Sequence, residues 1–184
     1  MAVLVVTAPE PLVTLEEAKA HLRVLDTAED GLIKGYIAAA SASIDGPWGW
    51  LGQCIGPQIV EVRSNTFSGI GRLPIGPLIS AASLKYVDAD GAEMTLPEGE
   101  YILSEEGLSL LPSAAWPRLR GDANGVRLQY RAGFEEVPAP IKQAVLLMVG
   151  QWFRTRADAV PGGNPATMPN GARALLSPYW LRRV

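Results

Sequence analysis

His21 is the only histidine in the chain and Cys54 the only cysteine. Any acid–base, nucleophilic or metal chemistry would therefore rest almost entirely on carboxylates and hydroxyls. His21 falls one position before Leu22, at the edge of an apolar helical stripe, and no ligand motif surrounds it, so it reads as structural. No serine lies in a nucleophile-elbow pattern. Asp88, Asp90 and Glu93 superficially resemble a calcium loop but lack its glycine and terminal glutamate spacing, and they read as a solvated hairpin turn. Glu105-Glu106 and Glu135-Glu136 are adjacent carboxylates beside turn residues, the setting of solvated loops rather than acid–base pairs. Gly69-Ile70-Gly71 lacks the third glycine of a phosphate loop, and no Gly-Lys-Ser/Thr occurs. One cysteine permits no intrachain disulfide and no multi-cysteine metal site, and it fits a reducing compartment. The chain is expected to be no enzyme and to use no cofactor and no metal.

The remaining candidates for chemistry are cations and aromatics. The net charge of −3 gives no general attraction to nucleic acid. It is unevenly spread, however. After Gly150 there are five arginines and one acid, a balance of +4, which leaves −7 for the first 150 residues. Such asymmetry between a body and a tail marks an interaction segment. Arg118, Arg120, Arg127 and Arg131, near Trp116, are the candidate DNA-facing strip, although they lie in the acidic part. Trp180 stands beside Tyr179 and close to Arg182 and Arg183, a composition typical of interface anchors. The tail reads as a partner-binding segment, with self-packing into a groove of its own domain as the competing reading.

These residues need elements to position them. Thr14 and Glu17 form a capping box, and Leu15, Ala18, Leu22 and Leu25 follow at helical spacing, which predicts a helix over about 14–25. Leu32, Ile33, Tyr36, Ile37, Ala40 and Ile44 predict a second helix over 29–45, stopped by Gly46-Pro47. A third, over 140–156, opens on Pro140 and carries Ile141, Ala144, Val145, Met148 and Trp152 on one face. Between them, over about 58–133, the period changes to alternation, as in Val126-Arg-Leu-Gln-Tyr-Arg131, with Asp90-Gly91 as a hairpin turn. The expected fold class is α+β: mainly an α-helical bundle of three main helices, with an inserted small antiparallel β-sheet and an extended C-terminal arm. The boundary falls between a domain over 1–157 and a flexible arm over 158–184, where Val160 to Gly171 is dense in Pro and Gly. No apolar run approaches the ~20 residues needed to span a bilayer. Met1 to Thr7 is apolar but lacks the basic region of a signal peptide, so a cytoplasmic product is expected.

Taken in order, several segments resemble a known family. They are Pro11-Leu-Val-Thr-Leu-Glu-Glu-Ala-Lys-Ala-His-Leu-Arg23, the Ala-rich helix Glu29 to Ala40, Leu73-Pro74 with Pro77-Leu78, and Tyr86-Val-Asp-Ala-Asp-Gly91. Val126 to Phe134, Val137 to Phe153 and the closing Ala174-Leu-Leu-Ser-Pro-Tyr179 complete the set. Together they resemble the head–tail connector (adaptor) proteins of long-tailed phages, including those of prophages and gene transfer agents. The resemblance implies a ring of copies, twelve-fold, beneath the portal protein of a virion neck. That ring would extend the channel for packaged DNA and meet a neck, stopper or tail-completion protein, with no membrane involved. Assembly would take place in the bacterial cytoplasm. It further implies that the C-terminal segment docks on the portal through Arg173, Leu175, Leu176, Tyr179, Trp180, Arg182 and Arg183. Trp180 stands where the family often has arginine after Pro-Tyr. A DNA-contacting module of a phage-like particle, without portal docking, is the alternative.

Overall fold

The alternation between 58 and 133 is realised as a sheet, and the sheet recruits one strand from outside that range. In the computed structural model, which describes residues 1–111, 115–155 and 168–181, the chain divides into two units. One comprises Met1–Ala8 and Pro57–Glu135, the other Pro9–Gly56 and Glu136–Val184.

The first unit holds β1 (Ala2–Thr7), β2 (Gln58–Ser64), β3 (Leu78–Val87), β4 (Glu93–Leu96), β5 (Tyr101–Ser104), β6 (Gly107–Leu110) and β7 (Val126–Ala132). Five of them form an antiparallel sheet in the order β1-β2-β7-β3-β4, and β5 and β6 form a separate hairpin. The period of two sorts the side chains into faces. Val3, Val62, Leu128, Leu84 and Leu96 are successive register partners across all five strands. Val62, Leu128 and Leu84 are completely buried, and each such side chain contributes about 1.5–3 kcal/mol. Tyr130, also on this face, is buried and donates its hydroxyl to the Ile75 carbonyl at 2.7 Å. The next row, Ala2, Arg63, Arg127, Lys85 and Thr95, lies on the opposite, charged face. The Asp90-Gly91 turn forms as expected. Gly91 has φ +89°, and the Asp88 carboxylate accepts from the amides of Asp90 at 3.0 Å and Ala92 at 2.8 Å. The sheet is thus not wholly an insertion, because the apolar N-terminal stretch supplies its first strand.

The second unit is helical: α1 (Leu15–Leu22), α2 (Asp30–Ile44), α3 (Ala139–Thr155) and α4 (Asn170–Leu176). Ile33, Ile37, Ala40 and Ile44 of α2 are buried, as are Ile141, Ala144, Val145 and Met148 of α3. Tyr36 and Trp152 meet edge to face at 6.2 Å. α1 ends earlier than its apolar stripe suggests, because Arg23 turns left-handed at φ 59° and leaves Leu25 outside the helix, almost fully exposed. α4 adds a fourth helix to the three main helices expected, and over Asn170–Leu176 the chain is helical rather than extended. Its Ala172 and Leu176 are buried, so packing rather than propensity holds this short helix. Residues 158–167 of the expected arm lie outside the described residues.

The capping box is present. Thr14 Oγ1 accepts from the Glu17 amide at 3.1 Å, and Glu17 Oε2 accepts from the Thr14 amide at 2.7 Å. Thr14→Ala is expected to cost about 1 kcal/mol in urea denaturation. The Thr14 backbone amide first, and Lys142 after it, hold the Glu17 carboxyl below its ordinary 4.5 against a smaller opposing effect of burial. A depressed carboxylate stabilises above its unfolded value and loses that contribution as pH falls through the folded one. The stability gap between wild type and Glu17→Gln is therefore expected at neutral pH and should close as pH drops below 4.5.

Candidate functional site

Among the described residues no three of His, Cys, Asp and Glu are grouped to hold a metal. Among them, too, no helix is long and apolar enough to cross a membrane. His21 lies beside Gly150 of α3, where an added Cβ would come within 3.2 Å of His21 Nε2, so the pair marks a close helix approach. Cys54 is buried. Glu105 and Glu106 form the exposed β5–β6 turn. Glu135 pairs with Arg131 at 3.1 Å. Gly69 and Gly71 belong to a 3-10 turn capped by the Thr66 hydroxyl, with no helix after it to receive a phosphate.

The expected basic strip is largely neutralised by acids within the sheet unit. Arg127 pairs with Glu93, Arg131 with Glu135, and Arg120 with Asp122 at 3.5 Å. Lys85 also reaches Glu93, at 3.3 Å. The Lys85 hydrogen bond and then Arg127 hold the Glu93 carboxyl below 4.5. Burial pushes Glu61 the other way, but hydrogen bonds from Gln129 and Arg63 outweigh it and keep that carboxyl low as well. Arg118 is exposed. Surface pairs of this kind are weak, so they say more about the charge a ligand would meet than about stability.

The C-terminal segment is the site with structure. After α4 a 3-10 turn runs Ser177–Tyr179, and Trp180 leaves it extended. Loop 46–56 of the same unit receives it. The Trp180 ring stacks on Trp50 at 5.6 Å and 13°. The Leu181 amide donates to the Leu51 carbonyl at 3.1 Å, and the Gln53 side-chain amide donates to the Tyr179 carbonyl. The Arg173 guanidinium stands 6.0 Å from the Trp50 ring centroid, an approach worth about 0.5–1 kcal/mol at an exposed position. Of the expected docking residues, Leu176 is fully buried within its own unit, while Trp180 keeps 47% of its surface exposed. Arg173 is exposed, and Leu175 and Tyr179 are half-buried. Arg182 and Arg183 lie outside the described residues. Trp50, Leu51 and Gln53 are the residues that sequence reasoning missed. The signal available was Trp48-Gly-Trp50 directly after a helix stop, and Trp48 itself is 88% exposed.

A family model described as "Head completion protein" matches residues 11–180. No curated protein matches the sequence. Among solved structures, the chain is similar to one in the neck of an empty gene transfer agent (GTA) particle, computed with C6 symmetry. The identity there is 26%, the coverage 100% of this chain and 97% of that one, and the TM-score 0.74. It is similar at 26% identity, the same coverage and TM-score 0.76 to a chain in the virion of a native GTA particle. At 24% identity and TM-score 0.68 it shares its fold with a chain in the neck of a native GTA particle, computed with C12 symmetry, again over 100% of this chain and 97% of that one.

Proposed function

The chain belongs to the head completion protein family, and from that premise we propose that it is a structural head–tail connector subunit of a tailed phage or gene transfer agent particle. Copies form a ring beneath the portal, extend the channel through which packaged DNA passes, and present a surface to a neck, stopper or tail-completion protein. The observation that carries this reading is the full-length likeness, at 26% identity, to a chain of a GTA neck computed with C6 symmetry. A chain in such a neck recurs around the axis, and a ring of twelve obeys six-fold symmetry. The product then resides in the virion neck after assembly in the bacterial cytoplasm.

In this reading α1, α2 and α3 are the connector bundle, and the segment over 158–184 is its docking arm. Arg173, Leu175, Tyr179, Trp180, Arg182 and Arg183 meet the portal, while Leu176 anchors the arm. The half-exposed Trp180, backed by Trp50, is the group best placed to enter a partner pocket. Trp180→Ala is expected to weaken binding to purified portal rings about 10–30-fold, the loss of one interface anchor, with little change in melting temperature. Unchanged affinity in a biosensor titration would remove Trp180 from the interface. The DNA-contacting alternative has less support, because Arg120, Arg127 and Arg131 are paired with acids. Duplex binding by the isolated subunit that falls steeply with salt would favour it.

A further inference from the structure

The five-stranded sheet has two edges, β1 and β4, and they are not equally protected. An open edge strand is normally blunted by charge, proline, brevity or a cover, because its unpaired backbone groups invite another strand. β4 is four residues long and carries one charge, Glu93, but no proline, so its amides remain able to pair. β1 is Ala-Val-Leu-Val-Val-Thr, without charge or proline. Leu4, Val5 and Val6 are 42%, 42% and 52% exposed. Among the described residues β1 pairs with β2 alone, and its outer side faces no strand.

We propose that β1 is the surface on which the next copy of this chain docks in the ring, by strand pairing with that copy's β4. The inference rests on the ring reading above. A cyclic ring of more than two copies needs two different surfaces on each subunit, joined head to tail. The two edges of one sheet satisfy this, whereas β1 against β1 would close a two-fold dimer. The strands alternate in direction from β1 through β2, β7 and β3 to β4, so β1 and β4 run the same way. A copy related by ring rotation therefore meets them as a parallel pair. The faces also match. Val3 and Val5 register with buried Val62 and Val60, and Met94 and Leu96 with Tyr86 and Leu84. Pairing of the two edges continues the apolar face of the sheet from one subunit into the next, with Val5 and Met94, which is 44% exposed, on that same face at either side of the junction.

The test uses full-length protein assembled on purified portal rings. Cys54, the only native cysteine, is buried, so thiols introduced on the surface react selectively. Val5→Cys combined with Met94→Cys, treated with bismaleimides graded in length to span several register steps, is expected to give a ladder of covalent multimers reaching the full ring. Val5→Cys alone is expected to stay monomeric on a denaturing gel. Dimers from Val5→Cys alone, or rings that form without a ladder, overturn the proposal. Independently, the double variant Leu4→Lys/Val6→Lys places its first lysine opposite Glu61, which the fold tolerates. It is expected to melt near wild type yet lose ring formation at least 10-fold; rings forming as readily as wild type also overturn the proposal. If wild-type protein makes no ring on the portal, the connector reading fails instead.

Discussion

Asp45→Ala is expected to destabilise the helical unit by about 3–6 kcal/mol, the loss of two hydrogen bonds to a charged acceptor at about 1.5–3 kcal/mol each. Asp45 follows the last residue of α2 and is 9% exposed. Its carboxylate accepts from the Ile55 amide at 2.7 Å and the Gly56 amide at 3.0 Å. Those bonds close loop 46–56 back on the helix that precedes it. The same loop is pinned by Gly46 N–H to the Gln53 carbonyl, Trp50 N–H to that of Ser43, and Leu51 N–H to that of Ile44. Alanine would leave both amides buried without an acceptor, which is costlier than never having had the pair. Asp45→Asn keeps one carbonyl oxygen and is expected to lose about half as much. Urea denaturation followed by tryptophan fluorescence distinguishes the two, and an Asp45→Ala loss below about 1 kcal/mol would mean that other bonds hold the loop. Because Trp50, Leu51 and Gln53 of this loop receive the C-terminal segment, Asp45→Ala is also expected to weaken portal docking.

Local signals were legible where the stabilising partner is local. The Thr14–Glu17 capping box, the Asp90-Gly91 turn and the stripes of α2 and α3 all stand in the sequence, because their physics spans four residues or one helix face. β1 was not legible. An edge strand with both faces partly exposed need not alternate, and Ala2 to Val6 are apolar throughout. α4 was hidden for another reason. It has seven residues and no side-chain cap, so nothing in its own sequence outweighs the cost of nucleation, and contact with α3 does. The arginine strip failed differently. Sequence places Arg127 on a strand but cannot show that Glu93 comes within reach across β3. The Arg131–Glu135 pair, four residues apart, was open to local inspection. At the candidate site the tail residues were named as a group, yet their exposure differs sharply, and only the fold separates buried Leu176 from half-exposed Trp180.

That separation alters what a truncation can prove. Deleting residues 168–184 is expected to abolish portal binding, but it also strips Ala172 and Leu176 from the apolar surface of α3 that they cover. A loss of binding would then mix docking with damage to the bundle. Leu176→Ala measures the packing part alone: a fully buried leucine cut to alanine is expected to cost about 2–5 kcal/mol, depending on how far the cavity collapses. Leu176→Met, close in volume, is expected to cost less than about 1.5 kcal/mol. Trp180→Ala weighs docking more than packing, since about half of the Trp180 surface is exposed and the rest stacks on Trp50. The decisive comparison is therefore of portal affinity at equal folded fraction. Trp180→Ala should lower it while stability holds, and Leu176→Ala should lower stability first and affinity only as α4 detaches. If instead Leu176→Ala lost portal affinity at temperatures where circular dichroism shows the bundle and α4 intact, Leu176 would itself be a portal contact, and the segment would have to leave α3 in order to dock.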